Sequence, residues 1–204
     1  MAAANKFDEK LAEIASSGET PALLLHCCCA PCASYVLELL SPFFQITALY
    51  FNPNIMPREE HDKREAELTR LLRAAEYPNS VKLMRIDYAP ERFEEAVVPY
   101  RQAPEGGMRC RACFFLRLGE TAKRAAGMGF DYFTTTLSVS PHKDSKLLDE
   151  VCYELSAEYG VNYLQSNFKK RNGYKRSAEL SRQYGLYRQA YCGCIYAATP
   201  KAGL

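Results

Sequence analysis

Short apolar runs alternate with longer amphipathic segments along most of this chain. The apolar runs have the length of buried strands, and the amphipathic segments show the 3.6-residue period of helices. Five strands are predicted, at residues 22–25, 45–51, 81–86, 132–135 and 161–164. Helices are predicted at residues 33–40, 57–76, 90–103, 111–128, 145–159 and 177–184.

This alternation is typical of an α/β domain whose mostly parallel sheet is covered by helices on both faces. The chain has 204 residues, which is enough for one domain with a sizeable core. We therefore expect a single domain over residues 1–204. Within it, residues 1–20 are an N-terminal extension, and residues 167–204 are a basic, aromatic and cysteine-containing C-terminal segment.

Composition excludes several classes of protein. Hydrophobic residues make up 48% of the chain and charged residues 25%, which is ordinary for a soluble globular domain. No apolar run approaches the roughly 20 residues of a membrane-spanning helix. Residues 1–13 mix alanine with charged side chains and lack the layout of a secretory signal, so we expect a cytoplasmic protein.

Cysteine is the strongest chemical signal, because eight of the nine cysteines fall into three short groups. These are Cys27, Cys28, Cys29 and Cys32, then Cys110 and Cys113, then Cys192 and Cys194. In a cytoplasmic chain, closely spaced cysteines more often bind metal or carry out redox chemistry. The first group follows the first predicted strand. The loops at 52–56 and 137–144 follow the second and fourth, so all three should face one crevice.

Cysteines from two separate elements can close a four-sulfur site. Cys110 and Cys113 form a C-x-x-C pair at the start of a predicted helix, where the helix N-terminus favours thiolates. Zinc and iron–sulfur clusters both accept four thiolates. Adjacent cysteines such as Cys28 and Cys29 are uncommon in zinc ribbons, which favours a cluster. Inert buried thiols are the alternative.

The third group has the spacing C-x-C. A disulfide between Cys192 and Cys194 would be strained and readily reduced, which suits an electron relay. Two further metal ligands or simple free thiols are the alternatives. Cys152 lies within a helical pattern among apolar residues, so we interpret it as part of the core.

Positive charge is concentrated between residues 168 and 191. The cations are Lys169, Lys170, Arg171, Lys175, Arg176, Arg182 and Arg188, against Glu179 alone, with five aromatic residues interleaved. Cations follow phosphates and aromatic rings stack on bases, so we predict RNA contact here; a solvated basic face is the alternative. The predicted helix at 57–76 mixes both signs, so we expect plain solvent-facing surface there and an exposed His61.

Several multi-residue motifs, in one order, resemble those of the QueH family of epoxyqueuosine reductases. They are CCAPC at 28–32, YFNPNI at 50–55, PEGGMRCRACF at 104–114, FDYFTTTL at 130–137, SPHK at 140–143 and YRQAYCGC at 187–194. The resemblance covers residues 21–196 and leaves the first twenty outside. Members often carry a non-cysteine at the position of Cys27, so Cys27 can compete as a ligand.

The resemblance implies a Rossmann-like three-layer sandwich similar to the adenine-nucleotide α-hydrolase folds. It implies reduction of epoxyqueuosine to queuosine at wobble position 34 of tRNAs with GUN anticodons (Asp, Asn, His and Tyr), the last step of queuosine biosynthesis. The implied cofactors are a 4Fe–4S cluster and an additional mononuclear iron. By motif, the cluster ligands are Cys28, Cys29, Cys110 and Cys113, and Cys32 is left for the second iron. Cys192 and Cys194 form the implied redox-active disulfide.

The remaining chemistry is less specific. The loop after the fourth strand offers His142 as a proton donor, whereas Asp144 is interpreted as the N-cap of the next helix. The cysteine-rich loop after the first strand has no glycine, which argues against ATP use. An iron–sulfur tRNA sulfurtransferase or thiolase and a zinc-stabilised, non-catalytic RNA-binding protein are the alternative functions. The external electron donor is not indicated.

Overall fold

The computed structural model describes residues 6–165 and 167–197, with the side chain of Arg171 also left undescribed. The strands are β1 (Ala22–His26), β2 (Gln45–Tyr50), β3 (Val81–Arg85), β4 (Tyr132–Thr135) and β5 (Asn162–Tyr163). The helices are α1 (Lys6–Ser17), α2 (Ala30–Leu40), α3 (Arg58–Ala74), α4 (Pro90–Val97), α5 (Met108–Gly127), α6 (Ser145–Tyr159) and α7 (Gly173–Gln183).

All five strands are parallel and lie in the order β3-β2-β1-β4-β5. In the centre, Leu24 of β1 is in register with Thr47 of β2 and Phe133 of β4. The chain runs outward from β1 to β3, returns, and continues outward from β4 on the other side. The order therefore reverses between β1 and β4, and a parallel sheet binds ligands beyond the carboxyl ends of the strands at such a point.

The two faces of the sheet carry separate cores, because successive side chains of a strand point in opposite directions. Leu23 and Leu25 of β1 belong to a core shared with buried residues of α1, α2, α3 and α7. Leu24 belongs to the opposite core, which is filled from α5 and α6. These three layers confirm the predicted α/β sandwich. Within the described residues, no helix combines the length and apolarity needed to cross a membrane.

Several elements differ from the prediction, α1 and α4 the most. The α1 helix was not predicted, yet it buries Phe7, Leu11 and Ile14, whose spacing places them on one helical face against the core. The α4 helix ends at Val97 rather than at residue 103, since the following turn is a short 3₁₀ helix that contains Pro99. The α5 helix begins at Met108, so Cys110 lies within its first turn.

Candidate metal and thiol centre

The first cysteine group lies at the reversal point of the sheet. The backbone N–H of Cys28, just after β1, donates to Thr136 Oγ1, just after β4, at 3.3 Å. The Sγ atoms of Cys28, Cys29 and Cys32 all lie within 4.8 Å of one another, so these residues form a compact three-sulfur group that could hold a metal ion. Cys28 Sγ and Cys29 Sγ are 3.7 Å apart.

Hydrogen bonding within the three-sulfur group makes its members unequal. Hydrogen bonds with Cys29 and Cys32 lower the pKa of Cys28 well below its ordinary value. The same contact with Cys28 raises the pKa of Cys29 to about 12, and the pKa of Cys32 also rises. Gln189 Nε2 donates to Cys29 Sγ at 3.0 Å. The group thus favours one thiolate, at Cys28, beside two thiols that donate to it.

Cys27 lies apart from this group because it alternates to the other face of the chain. Its thiol is fully buried in the core shared with α1 and α2, and burial raises its pKa. Cys28, by contrast, packs toward the core of α5 and α6. The neighbouring His26 is also fully buried, with its ring nitrogens near Thr135 Oγ1 and the Phe51 carbonyl, and burial lowers its pKa to about 3. His26 is therefore neutral at physiological pH.

The second and third cysteine groups lie close to each other. Cys110 accepts a hydrogen bond at Sγ from the backbone N–H of Gly106, at 3.2 Å. Cys113 packs with Cys194 against Phe93 and Val97 of α4, and Cys192 borders this cluster. Burial raises the pKa of Cys113 to about 12 and also raises that of Cys194.

Among the described residues, neither Cys110 nor Cys113 belongs to the three-sulfur group. The structure brings Cys113 to Cys192 and Cys194, and it brings Cys28 and Cys29 to Cys32. All nine cysteines are free thiols. The ligand set Cys28, Cys29, Cys110 and Cys113 and the Cys192–Cys194 disulfide therefore stay predictions, as does the role of Cys32.

Arg117 lies between the three-sulfur group and Cys113, and no motif or spacing in the sequence indicates this position. Its side chain is only 2% exposed, with Nη1 3.9 Å from Cys113 Sγ and Nη2 donating to Asn52 Oδ1 at 2.5 Å. Its positive charge also contributes to lowering the pKa of Cys28. Asn52 in turn donates to the Cys27 carbonyl at 2.9 Å, which fixes the loop after β2 to the loop after β1.

The surroundings of Arg117 fit an anionic, sulfur-bound group. Within the described part of the chain, Arg117 contacts Cys113 and Asn52 rather than a carboxylate, and its buried Nε has no hydrogen-bond partner. A buried cation of this kind is costly unless negative charge lies nearby. The thiolate of Cys28 can supply that charge, as would Cys113 once a bound metal removes its proton, and soft thiolate ligands suit zinc and iron–sulfur clusters. The donor set therefore fits the implied cluster without distinguishing it from zinc.

Lys143 is a second residue that the sequence reasoning missed. Its Nζ donates to Cys192 Sγ at 3.2 Å and lies 3.8 Å from Glu105, with 12% of the side chain exposed. Burial alone would lower the pKa of Lys143, but the neighbouring Cys192, Cys110 and Glu105 raise it above its ordinary value. His142, one residue earlier, is exposed. Asp144 caps α6 through the N–H groups of Lys146 and Leu147, as predicted.

The inner side of α3 is buried, so the expectation that this helix is plain solvent-facing surface was wrong there. His61 is only 3% exposed and packs between Tyr50 and Tyr88, with ring centroids 5.0 and 4.4 Å away, so the prediction that it is exposed was wrong. Arg64 is only 2% exposed. Mixed charge along a helix does not reveal which face packs against a neighbouring segment, and here the C-terminal segment covers one face.

The predicted RNA-binding cations differ in their surroundings. Lys170, Lys175 and Arg188 are exposed. Arg176 is paired with Glu38 at 2.7 Å and with Glu179 at 3.1 Å, which neutralises it in part. Lys169 donates to the Lys143 carbonyl, and the side chain of Arg171 lies outside the described residues. The basic surface is thus centred on the exposed lysines and Arg188.

A five-stranded parallel sheet with thiols, a buried arginine and a partly buried lysine beyond its reversal point defines an α/β protein suited to thiolate–metal or thiol–disulfide chemistry. A sequence model of the family described as "Epoxyqueuosine reductase QueH" matches residues 23–200. The chain therefore belongs to the epoxyqueuosine reductase QueH family, a family of oxidoreductases, and the resemblance seen in its motifs is confirmed.

Individual relatives of that name are similar over most of their length. One from Streptococcus pyogenes serotype M1 is 43% identical over 180 residues, which cover 87% of this chain and 71% of the relative. One from Staphylococcus epidermidis is 39% identical over 202 residues, which cover 94% of this chain and 84% of the relative. One from Thermotoga maritima is 32% identical over 181 residues, covering 86% and 89%.

Proposed function

We propose that this protein is an epoxyqueuosine reductase that reduces epoxyqueuosine to queuosine at wobble position 34 of tRNAs with GUN anticodons, the last step of queuosine biosynthesis. Membership of the family carries this proposal, because the matched residues 23–200 include all nine cysteines. The tRNA substrate makes the cytoplasm the proposed location. The thiol-lined crevice supports a reductive chemistry.

The proposed reaction converts an epoxide to an alkene. It consumes two electrons and two protons and releases the epoxide oxygen as water. The protein must therefore hold reducing equivalents close to a proton source while it excludes bulk water from the reacting carbons.

The proposed cofactor is a 4Fe–4S cluster held by Cys28, Cys29, Cys110 and Cys113, with Cys32 available to an additional iron. When bound, such a cluster supplies electrons one at a time. The three-sulfur group of Cys28, Cys29 and Cys32 and the unpaired charge of Arg117 support a sulfur-bound metal group at this place, whereas the inclusion of Cys110 and Cys113 rests on the sequence motif. Arg117 also holds Asn52 of the neighbouring loop in place.

The Cys192 and Cys194 thiols are the proposed internal reductant. Oxidation of two thiols to one disulfide releases two electrons and two protons, which equals what the epoxide consumes. An external donor must afterwards reduce the disulfide. The contact between Cys192 and Lys143 supports this role, because an ammonium group stabilises a thiolate beside it. His142 is the proposed proton donor, with Lys143 in the same loop as a second source of protons.

The basic surface is the proposed tRNA contact. Its predicted members are Lys169, Lys170, Arg171, Lys175, Arg176 and Arg188. The exposure of Lys170, Lys175 and Arg188 supports contact with phosphates, and the guanidinium of Arg188 lies 5.6 Å from the centre of the Tyr174 ring. Tyr174 is itself exposed, so its outer face is free to stack on an unpaired base.

The proposal is tested by mass spectrometry of nucleosides released from epoxyqueuosine-bearing tRNA after anaerobic incubation with iron-reconstituted protein and a strong reductant. We expect queuosine to appear. If iron and sulfide are present and queuosine does not form, the reductase assignment fails. A thiolated nucleoside would then indicate sulfur transfer. Stoichiometric zinc without iron after anaerobic purification would indicate a non-catalytic RNA-binding protein.

A further inference from the structure

Arg64 is a buried cation of α3 that binds the main chain of the C-terminal segment. Its Nη1 donates to the Cys192 carbonyl at 3.0 Å, and its Nη2 donates to the Tyr191 carbonyl at 3.2 Å. Its Nε donates to Glu60 at 2.7 Å, which balances the buried charge. A guanidinium bound to two successive carbonyls and a carboxylate is held in one orientation.

The segment that Arg64 binds, residues 184–194, is here called the thiol strap. It contains neither helix nor strand, so no regular ladder of hydrogen bonds fixes its conformation. Side chains of α3 supply hydrogen bonds to its main chain instead. Arg70 donates to the carbonyls of Tyr184 and Gly185, both at 3.0 Å, and the Tyr187 N–H donates to Glu67 at 2.9 Å.

The end of the thiol strap is also fixed by the loop after β2. The Met56 N–H donates to the Gly193 carbonyl at 2.9 Å, and the Tyr191 hydroxyl donates to the Met56 carbonyl at 3.0 Å. Gly193 has φ +101°, and a Cβ there would lie 2.9 Å from Ile55 Cγ1. Only glycine allows this close approach, so the backbone between the two cysteines is pressed against the loop.

We propose that Arg64 is a positioning residue, which holds the peptide groups of Tyr191 and Cys192 so that both thiols of the strap face the crevice. In this arrangement Cys192 Sγ meets Lys143 Nζ, and Cys194 packs with Cys113. The functional meaning rests on the proposed reductase activity, since that activity uses these thiols. The geometric part is independent of it and can be tested on metal-free protein.

The test compares Arg64→Met with Arg70→Met. Arg70 is a more exposed residue of the same helix that also donates to two carbonyls, those of Tyr184 and Gly185, which lie eight and seven residues before Cys192. Arg64→Lys is the second variant, because lysine keeps the positive charge but lacks the planar guanidinium that donates to both carbonyls at once. Two quantities are measured on metal-free protein: the equilibrium constant for Cys192–Cys194 disulfide formation with oxidised and reduced glutathione, and hydrogen exchange of peptides covering residues 184–187 and 188–195. Thermal unfolding verifies that each variant folds.

For Arg64→Met we expect the disulfide equilibrium to shift by roughly tenfold, since two charge-assisted hydrogen bonds that fix the thiol geometry are lost. Exchange should accelerate in 188–195. For Arg70→Met, exchange should accelerate only in 184–187, with the equilibrium within twofold of wild type. For Arg64→Lys, the disulfide equilibrium constant and the exchange in 188–195 should both lie between those of wild type and Arg64→Met. In the iron-loaded enzyme, Arg64→Met should lower kcat and leave KM for tRNA unchanged.

An unchanged equilibrium in folded Arg64→Met, or equal shifts in the Arg64 and Arg70 variants, would overturn the positioning role. Should Arg64→Met not fold, the same comparison is made with Arg64→Lys. If the metal-free measurements come out as expected while wild-type enzyme forms no queuosine, the positioning role stands and the reductase proposal fails.

Discussion

Lys143 Nζ lies 3.2 Å from Cys192 Sγ, which joins the loop after β4 to the thiol strap. An ammonium group at this distance stabilises the thiolate over the thiol. We expect Lys143→Met to slow the alkylation of Cys192 by iodoacetamide roughly tenfold at neutral pH. Peptide mass spectrometry measures the rate at each cysteine. Lys146→Met, which changes an exposed lysine three residues away, is the control, and equal rates in the two variants would contradict the role of Lys143.

Arg117 should influence the electronic properties of any anionic group bound by the surrounding thiolates. Removing a nearby positive charge favours the less negative, oxidised form of a cluster. We therefore expect Arg117→Met to shift the reduction potential of the reconstituted cluster to more negative values, with Arg117→Lys nearer to wild type. A potential titration monitored by electron paramagnetic resonance measures the shift.

Arg124→Met is the matched control for Arg117, because Arg124 lies on the same helix and pairs with Glu120 at 2.7 Å. Its potential should equal that of wild type. A potential that is the same in the Arg117 and Arg124 variants would show that the buried guanidinium does not act on the cluster.

The layers of the fold could be predicted because they depend on local periodicity. The alternation in β1 and the helical spacing of Leu148, Val151 and Leu155 are visible in the sequence, and the N-cap at Asp144 follows from residue type alone. The α1 helix shows the same signal at Phe7, Leu11 and Ile14. This helix belongs to the N-terminal extension, for which no element was predicted.

The thiols of the site were found by their spacing, but the charged residues that surround them were not. Lys143 meets Cys192 across 49 residues of chain, Arg117 meets Asn52 across 65, and Arg64 meets Cys192 across 128. Such contacts depend on which elements become neighbours, and a single sequence does not encode that in any local pattern.

The predicted cluster ligands can be tested by substitution of single cysteines. We expect Cys110→Ala to lose the brown colour of the reconstituted protein and its turnover, because a four-thiolate site loses one ligand. Iron and sulfide analysis and the visible spectrum measure the loss. Cys152→Ala should keep colour and turnover, since this thiol is fully buried in α6 away from the crevice. Retained turnover in Cys110→Ala would exclude the assigned ligand set.

Glu120 joins α4 to α5 below the site, and its contribution to stability should depend on pH. Burial by itself would raise its pKa, but ion pairs with Arg92 at 2.9 Å and Arg124 at 2.7 Å lower it below the ordinary value of 4.5. A lowered pKa in the folded state gives stability that is present above pH 4.5 and is lost as the pH falls through the folded-state pKa.

We therefore expect Glu120→Gln to destabilise the protein by about 0.5–1 kcal/mol at pH 7, since both arginines are partly exposed. The difference from wild type should shrink toward zero as the solution is acidified below pH 4.5. Urea unfolding at a series of pH values measures it. Glu95→Gln, at an exposed position of α4, should show no such dependence, and a difference for Glu120→Gln that is constant with pH would rule out the ion pairs as its cause.

Two exposed lysines, Lys170 in the turn before α7 and Lys175 in its first turn, should govern tRNA affinity if the basic surface binds phosphates. Reversing Lys170 and Lys175 to glutamate replaces two attractive charges with repulsive ones. We expect affinity for tRNA to fall by at least roughly tenfold at physiological salt and the dependence of affinity on salt to become shallower. Lys123→Glu, at an exposed position of α5 on the opposite face of the sheet, is the control. If both proteins bind tRNA as wild type does, the basic surface is a solvated face, and the tRNA must approach the crevice from another side.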